Sequence, residues 1–436
     1  MKLQCGCNEG LCFLQMAFPV SSSRLTGPLL VLKLFWPFKI YFEKAGYSPI
    51  NHTFITLIPK KLGACNFNQF RPISLCNFYY KVIAKILVNK LRPLLSQIID
   101  SSQSAFVPNR WIIENMVLAQ EVVHSFKQRK RKKGFMGLKL NFHKAYDYLE
   151  WEFIYRVLMA LGFDSAVVNL IKQCLSTVKF TLLLNGTKSS SFTPSRGIRQ
   201  GDPLSPYLFI LCSEVLARLI NKEAVGGNIH GAKIAPSSPG ITKLMYADDV
   251  VLFCGAKIAE VKALMRCVEK FCGWSGLSVN IEKSRLFVSK GVHSQFCRQV
   301  KNMWGFKKLA SDVQYLGLPL FLSANKSKAF SFVKERLNTR ISGWKSKSLS
   351  QMGRSTLIKS VALTSPIYVM AAFKLPTGLC SELDAMVHQF WWSPRKDGNR
   401  FFSPMAWSDI CKPLADGGLG FRSFESFNEA MIAKLA

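Results

Sequence analysis

The sequence is short of acid. Its 436 residues hold 26 Asp plus Glu against 58 Lys plus Arg, a formal net charge of +32. An imbalance of that size excludes an acidic, self-solvating chain and points to an extended polyanion as partner. Nucleic acid comes ahead of a membrane surface, because the basic residues are spread over the whole length and not gathered on one amphipathic segment. Histidine is scarce too. His52, His124, His143, His230, His293 and His388 show no ligand spacing, which argues for surface or core roles over zinc. The 13 cysteines are an odd number at irregular intervals, so they make no disulfide framework and read as thiols of a reducing, intracellular compartment. Even Cys5, Cys7 and Cys12 lack a matching Cys or His pair nearby. Long apolar runs are missing as well: residues 28 to 42 are broken by Lys33, Pro37 and Lys39 and fall short of the roughly 20 residues that a bilayer crossing takes. The apolar stretch Leu11 to Val20 follows an uncharged segment, not the basic one of a secretory signal.

What is present is a folding sequence, 49% hydrophobic and long enough for two or three domains. Residues 1 to 45 have little coherent periodicity and remain an unassigned extension. From Thr53 to Ile58 a β-branched and apolar run predicts a strand, stopped by Pro59 and followed by Lys60 and Lys61. Phe70-Arg71-Pro72-Ile73-Ser74 comes next. Lysines at a strand end with an arginine shortly after can grip phosphates, Arg as a bidentate fork and Lys as a point charge. Val82, Ile83, Ile86, Leu87, Leu91, Leu94, Leu95 and Ile98 recur at helical spacing, which predicts a helix over 78 to 99, bent near Pro93. A second helical pattern, 113 to 126, ends in the basic run Lys127 and Arg129 to Lys133, a solvated loop suited to non-specific phosphate attraction.

Gly137 to Leu140 alternates as a strand and runs through Asn141 into the start of a helix at Tyr146 and Asp147. A helix from Trp151 to Leu161 stops at Gly162, and Val178 to Asn185 is a strand closed by Gly186. Arg196 to Pro206 is a loop dense in Gly and Pro with two arginines, whose small residues let a base pair approach and whose Gln200 can hydrogen-bond it. The apolar face of Leu208, Leu211, Cys212, Val215 and Leu219 predicts a buried helix. Tyr246-Ala247-Asp248-Asp249 then stands between two apolar runs, as a hairpin with acids at its tip. Adjacent carboxylates repel unless a cation lies between them, and Mg²⁺ held by one or two carboxylates is the usual arrangement for phosphoryl transfer. A last helix before Gly276 completes a pattern of helices on one face of an antiparallel sheet.

Taken in order, these blocks resemble the reverse transcriptase of non-LTR (LINE-type) retrotransposons, most closely the plant branch. Ile58-Pro59-Lys60 and Phe70 to Leu75 look like the fingers motifs, and Gln103 to Pro108 like the block after them. Arg196 to Pro206 looks like the primer-template loop, and Tyr246 to Asp249 like the catalytic hairpin. Asn280 to Ser284 resembles the motif with a late lysine, Lys283, and Tyr315-Leu316-Gly317 belongs to a stretch similar to the primer grip. Gly343-Trp344-Lys345, Phe390-Trp391-Trp392 and Gly417 to Phe421 look like thumb and connector.

The resemblance implies an α+β right-hand polymerase fold. Fingers and an antiparallel-sheet palm would fill 50–320, a helical thumb 321–375 and a C-terminal helical connector fragment 376–436. It also implies a two-metal mechanism with two Mg²⁺ ions, an RNA template, a DNA primer and deoxynucleotide triphosphates as partners, and a nuclear location. Asp248 and Asp249 would ligate the metals, Tyr146 would be the steric gate against a ribose 2′-OH, and Lys60, Lys61 and Arg71 would hold the triphosphate. Gln200 and Gly201 would line the templating base pair, and Lys283 would donate a proton to pyrophosphate.

One departure carries most weight. The strand before the steric gate should end in a catalytic aspartate, and Asn141 stands in its place. An amide oxygen can coordinate, but it brings no negative charge. Asp147, six residues on and already helical, is not expected to rescue it. The missing Pro-Asp-Gly block, the absence of a preceding endonuclease domain and a helical pattern running off at Leu435 read as a truncated copy. The expectation is therefore an impaired RNA-directed DNA polymerase; the alternative is a non-catalytic nucleic-acid-binding remnant that keeps the basic cleft.

Overall fold

The run Thr53 to Ile58 does form a strand, and its neighbours explain its apolar character. The computed structural model describes residues 50–128, 134–235, 237–306, 313–321, 326–345, 349–392 and 402–434. The extension 1–45 and the basic residues Arg129 to Lys133 lie outside them. Strand β1 (His52–Pro59) pairs antiparallel with β2 (Phe70–Cys76), so that Ile58 faces Arg71. On its other edge β1 pairs parallel with β4 (Lys179–Leu184), which turns back at Gly186, φ 84°, into β5 (Thr187–Lys188).

The chain divides into two compact units, one ending at Ser311 and the other beginning at Asp312. In the first, α1 (Phe78–Ile98) runs on through Pro93 and buries Tyr80, Ile83, Leu87, Leu91 and Leu95. Val82, expected on that face, is exposed, because the buried stripe is centred one position further round. Helix α2 (Ile112–Gln128) precedes β3 (Phe135–Leu140), the one-turn α3 (Ala145–Tyr148) and α4 (Trp151–Ala160). Helix α5 (Ser165–Ser176) lies where the sequence reading assigned no element; Asp164 caps it by accepting from the Ala166 amide at 2.7 Å, and Val167, Val168, Ile171, Cys174 and Leu175 are its buried stripe.

Helix α6 (Ser205–Val225) is buried almost all round. The hairpin of β6 (Lys243–Tyr246) and β7 (Asp249–Gly255) joins β3 and β8 (Arg285–Val288) in an antiparallel sheet of order β6-β7-β3-β8. Between β7 and β8 runs α7 (Ile258–Ser275), ended by Gly276 at φ 75°; α8 (Ser294–Trp304) follows β8. One sheet face, with Leu138, Leu140, Val250 and Leu252, belongs to the same hydrophobic cluster as α6 and α7. The other face is not left bare, as a sheet with helices on one side only would be. Phe126 of α2 meets Phe135, Phe253 and Phe287 there, with ring centroids 5.9, 6.2 and 6.2 Å away.

The second unit opens with a short hairpin, β9 (Gln314–Tyr315) and β10 (Leu318–Pro319), and is otherwise helical. Its helices are α9 (Lys326–Ala329), α10 (Ser331–Lys345), α11 (Gln351–Leu357), α12 (Ile367–Ala372), α13 (Thr377–Trp392), α14 (Trp407–Ile410) and α15 (Phe424–Ala433). Phe330, Phe390 and Phe424 are buried, as the helical spacing of its aromatic residues implies. By length and composition alone the run Gln351–Ala372 is apolar enough to cross a membrane. A π-helical turn at Ile358–Ala362 interrupts it, and it packs on α13 and α15.

Arg199, one of the two arginines of the Gly- and Pro-rich loop, is 5% exposed. Its guanidinium meets Asp202 at 3.1 Å, donates to Asn51 at 2.6 Å and to the Cys174 carbonyl at 3.2 Å, and lies over the Tyr80 ring. Tyr80 in turn donates to Asp202 at 2.8 Å. Removing one partner of a buried pair leaves the other charge uncompensated, so Asp202→Asn is expected to cost about 3–5 kcal/mol, read as a shift of the urea midpoint.

A second polar knot anchors β6. Lys243 reaches Asp100 at 3.5 Å and Asn221 at 2.5 Å, and Glu214 accepts from the Asp100 amide. Burial alone would raise Asp100, but Lys243 and the hydrogen bonds from Ser102 and Asn221 outweigh it and hold the carboxyl at about 2. The folded value lies below the ordinary 3.8, so this stabilisation is complete above that pH and is lost as pH falls toward about 2. Asp100→Asn should therefore flatten the acid limb of a stability-versus-pH curve in that window and cost about 2 kcal/mol at neutral pH.

Candidate active site

Strand alternation decides which side chains can meet. On β3, Met136, Leu138 and Leu140 enter the core, so Gly137, Lys139 and, one residue past the strand, Asn141 share the opposite face. Gly137 fills its place because a Cβ there would stand 2.3 Å from the Phe287 ring. Leu140 pairs with Val250, and one further step of the antiparallel register sets Asn141 abreast of Asp249. The Asn141 backbone is fixed on both sides: its amide donates to Ser284 Oγ at 3.0 Å and its carbonyl accepts from the Asn280 amide at 2.7 Å.

In the hairpin Tyr246 pairs with Asp249, leaving Ala247 and Asp248 as a two-residue turn. The Asp248 side chain is exposed at the tip. Loss of water around it raises its carboxyl above the ordinary range, its own backbone amide works the other way, and Asp249 adds to the rise. Asp249 is half-buried and meets the Lys139 ammonium at 3.1 Å. Lys139 carries a role that the sequence reading missed; its place two residues before Asn141 on one strand was the available signal.

Tyr146, on the one-turn α3, stacks on Phe209 with centroids 5.4 Å apart and planes 12° from parallel. Its phenol is pushed well up, first by burial and then by the charge of Asp248. A second group assembles from separate elements. Lys60 is held below its ordinary value by partial desolvation and then by Lys283, Arg71 and Lys144, with Asp147 acting the other way. The charges of two other sequence-predicted residues thus act on Lys60, as does that of Lys144, a left-handed residue at φ 38° before α3. Lys61 is exposed one residue beyond. Burial raises Asp147, and Lys144 and Lys60 lower it.

Gln200 accepts from the Ser74 amide through its carbonyl at 2.7 Å, which bonds the loop to β2. At Gly201, φ 108°, a Cβ would stand 2.9 Å from the Ser74 carbonyl oxygen, so only glycine fits. Behind this loop a cavity of about 210 Å³ is lined by Ile55, Pro72, Asp147, Trp151, Gly197 and Gln200, among others. Tyr315, Leu316 and Gly317 form the β9–β10 turn of the second unit, with Leu316 at φ 52° and its carbonyl accepting from the Tyr368 hydroxyl at 2.8 Å.

Among the described residues no group of three or more His, Cys, Asp or Glu side chains could hold a metal ion. The hard oxygens of Asp248, Asp249 and the Asn141 amide nonetheless suit a divalent cation of the Mg²⁺ kind. Charge is what the set lacks, since Lys139 offsets one of its two carboxylates.

A sequence model of the family described as reverse transcriptase (RNA-dependent DNA polymerase) matches residues 58–320. The chain is 25% identical over 389 residues to an uncharacterized 149 kDa protein of transposon TX1 from Xenopus laevis, covering 86% of this chain and 28% of that protein. It is 30% identical over 241 residues to a Pol polyprotein of the type-2 retrotransposable element R2DM from Drosophila melanogaster, 55% of this chain and 22% of that one. The chain thus spans about a quarter of the length of these relatives. Among solved structures, telomerase from Candida tropicalis with a telomeric RNA fragment aligns with a TM-score of 0.42 at 12% identity, over 84% of this chain and 62% of that one.

Because a unit positive charge a few ångströms from a bound cation is worth about 1–4 kcal/mol, Lys139→Met should tighten Mn²⁺ binding roughly tenfold or more in an EPR titration. Unchanged or weaker binding would show that Lys139 does not oppose a cation at the carboxylates.

Proposed function

The chain belongs to the reverse transcriptase (RNA-dependent DNA polymerase) family, in its LINE-type branch, and we propose from that premise that it copies RNA into DNA at a rate depressed by Asn141. The observation that carries this reading is the position of Asn141 abreast of Asp249, where the metal-holding face offers an amide in place of a carboxylate. Within that branch we assign it to the plant-like group on the wording and order of its motifs.

Reverse transcriptase domains generally use divalent metal ions, and here Asp248, Asp249 and the Asn141 oxygen would hold Mg²⁺. Bound there, the metal supplies charge stabilisation for the attacking and leaving oxygens of an in-line displacement. The chain's own residues bind and orient. The cationic group of Lys60, Arg71 and Lys283, with Lys61 beside it, would hold the triphosphate of an incoming deoxynucleotide, and Lys283 would give the departing pyrophosphate its proton. Support comes from the mutual electrostatic influence of these side chains. Tyr146, pinned against Phe209, would exclude a ribose 2′-OH, which calls for a fixed ring. Gln200 and Gly201 would back the templating base pair, and Tyr315, Leu316 and Gly317 would grip the DNA primer.

A second reading, a binding remnant without chemistry, is favoured by the same amide together with the Lys139 pair. The RNA template and primer would still be attracted by the net charge of +32. Extension of a DNA primer on an RNA template in Mg²⁺, wild type beside Asn141→Asp, separates the two. The metal clamp supplies several kcal/mol, so the Asp variant should extend on the order of 10²- to 10⁴-fold faster. Equal rates would refute the impairment, and no extension by either protein would leave the remnant reading standing.

A further inference from the structure

The turn that carries Asp248 does not hold itself. Ala247 has φ 53°, a left-handed conformation that costs a residue with a Cβ roughly 1–2 kcal/mol, and it is 9% exposed. Its amide lies in the turn, outside the β6–β7 ladder, and a buried amide left without an acceptor costs a further ~1–3 kcal/mol. The acceptor comes from 144 residues away: Gln103 Oε1 lies 3.0 Å from the Ala247 amide. The same oxygen accepts from the Ala105 amide, also at 3.0 Å.

Gln103 is itself 1% exposed and cannot turn over. Its Nε2 donates to Ser213 Oγ at 3.4 Å, and that hydroxyl donates to the Ile210 carbonyl at 2.9 Å, so the hydroxyl oxygen is free to accept. A flipped side-chain amide would point two N–H groups at two backbone N–H groups, which the donor inventory forbids. The backbone around it is stitched to β6 as well. Met245 donates to the Ser102 carbonyl at 2.9 Å, Ser104 donates to the Met245 carbonyl at 3.1 Å, and Asn115 Nδ2 reaches that carbonyl at 2.7 Å. Arg110 clamps the segment from below through the carbonyls of Ile99, Asp100 and Gln103.

We propose that Gln103 is a positioning residue for the catalytic hairpin: its side-chain oxygen selects the left-handed turn at Ala247 and thereby sets where the Asp248 carboxylate stands. The proposal rests on the reading of Asp248 as a metal ligand only for its functional consequence, since the turn geometry is independent of it. A displacement of about 1 Å at a reacting centre can cost 10²-fold, so such a support acts on chemistry without touching substrate.

The test uses the full chain with Gln103→Met, which keeps the length and removes the acceptor, and Gln103→Glu, whose protonated form reproduces the pattern of C=O toward Ala247 and O–H toward Ser213. Hydrogen–deuterium exchange is followed over β3, β6, β7 and β8, with Mn²⁺ binding by EPR beside it. Gln103→Met should speed exchange at residues 245 to 249 at least tenfold over the rest of the sheet and weaken Mn²⁺ binding about tenfold, while Gln103→Glu restores both. Unchanged protection in the Met variant, a uniform loss over all four strands, or equal loss in the Glu variant overturns the proposal. If the Met variant does not fold, protection at 245 to 249 in the Glu variant decides in the same sense. Should no variant nor the wild type bind Mn²⁺, the metal reading of Asp248 fails, while the exchange data still decide the role of Gln103.

Discussion

The buried pair of Arg199 and Asp202 is the constraint on which the first unit depends. It joins four stretches of chain that pattern alone would leave separate: the start of β1 through Asn51, α1 through Tyr80, the end of α5 through the Cys174 carbonyl, and the loop entering α6. A charge taken from water must be met by partners in fixed positions. Strands β1 and β2 therefore cannot tilt without breaking hydrogen bonds to the loop beside them. Gly201 repeats the constraint in steric terms, with backbone against backbone at Ser74. The loop expected to face a base pair is thus built as one body with the strands expected to face phosphates.

A similar logic holds the hairpin. The outer edge of β6 would otherwise be an unpaired strand edge, and the segment 102–104 closes it with a parallel bridge at Met245. Behind it Lys243, Asp100, Asn221 and Glu214 satisfy one another in the interior. Gln103 supports the tip through the Ala247 amide, and the sheet beneath it packs its apolar faces against helices.

Much of this was legible in the residues. The strand–turn–strand of Lys243 to Gly255 announces itself by composition, and the helix at 78 by its spacing. Lys60, Arg71 and Lys283 stood out as residue types, though nothing in the sequence showed that the charges of Arg71 and Lys283 act on Lys60. Helix α5 was missed although Asp164 and five apolar positions signal it. Arg199 was given no role because nothing local reveals that Asn51, 148 residues earlier, receives its guanidinium. Gln103 likewise was read only as part of a motif block, its partner lying 144 residues on.

Position 141 carries a last consequence. A third carboxylate abreast of Asp249 and close to Asp248 would repel both in the absence of cations, and like charges at such a site weaken the empty fold. The amide removes that repulsion and leaves Lys139 to match Asp249 one for one. On the proposed reading, folding and catalysis would pull against each other at this single position. Selection for an intact protein and selection for a working one would then favour different residues there.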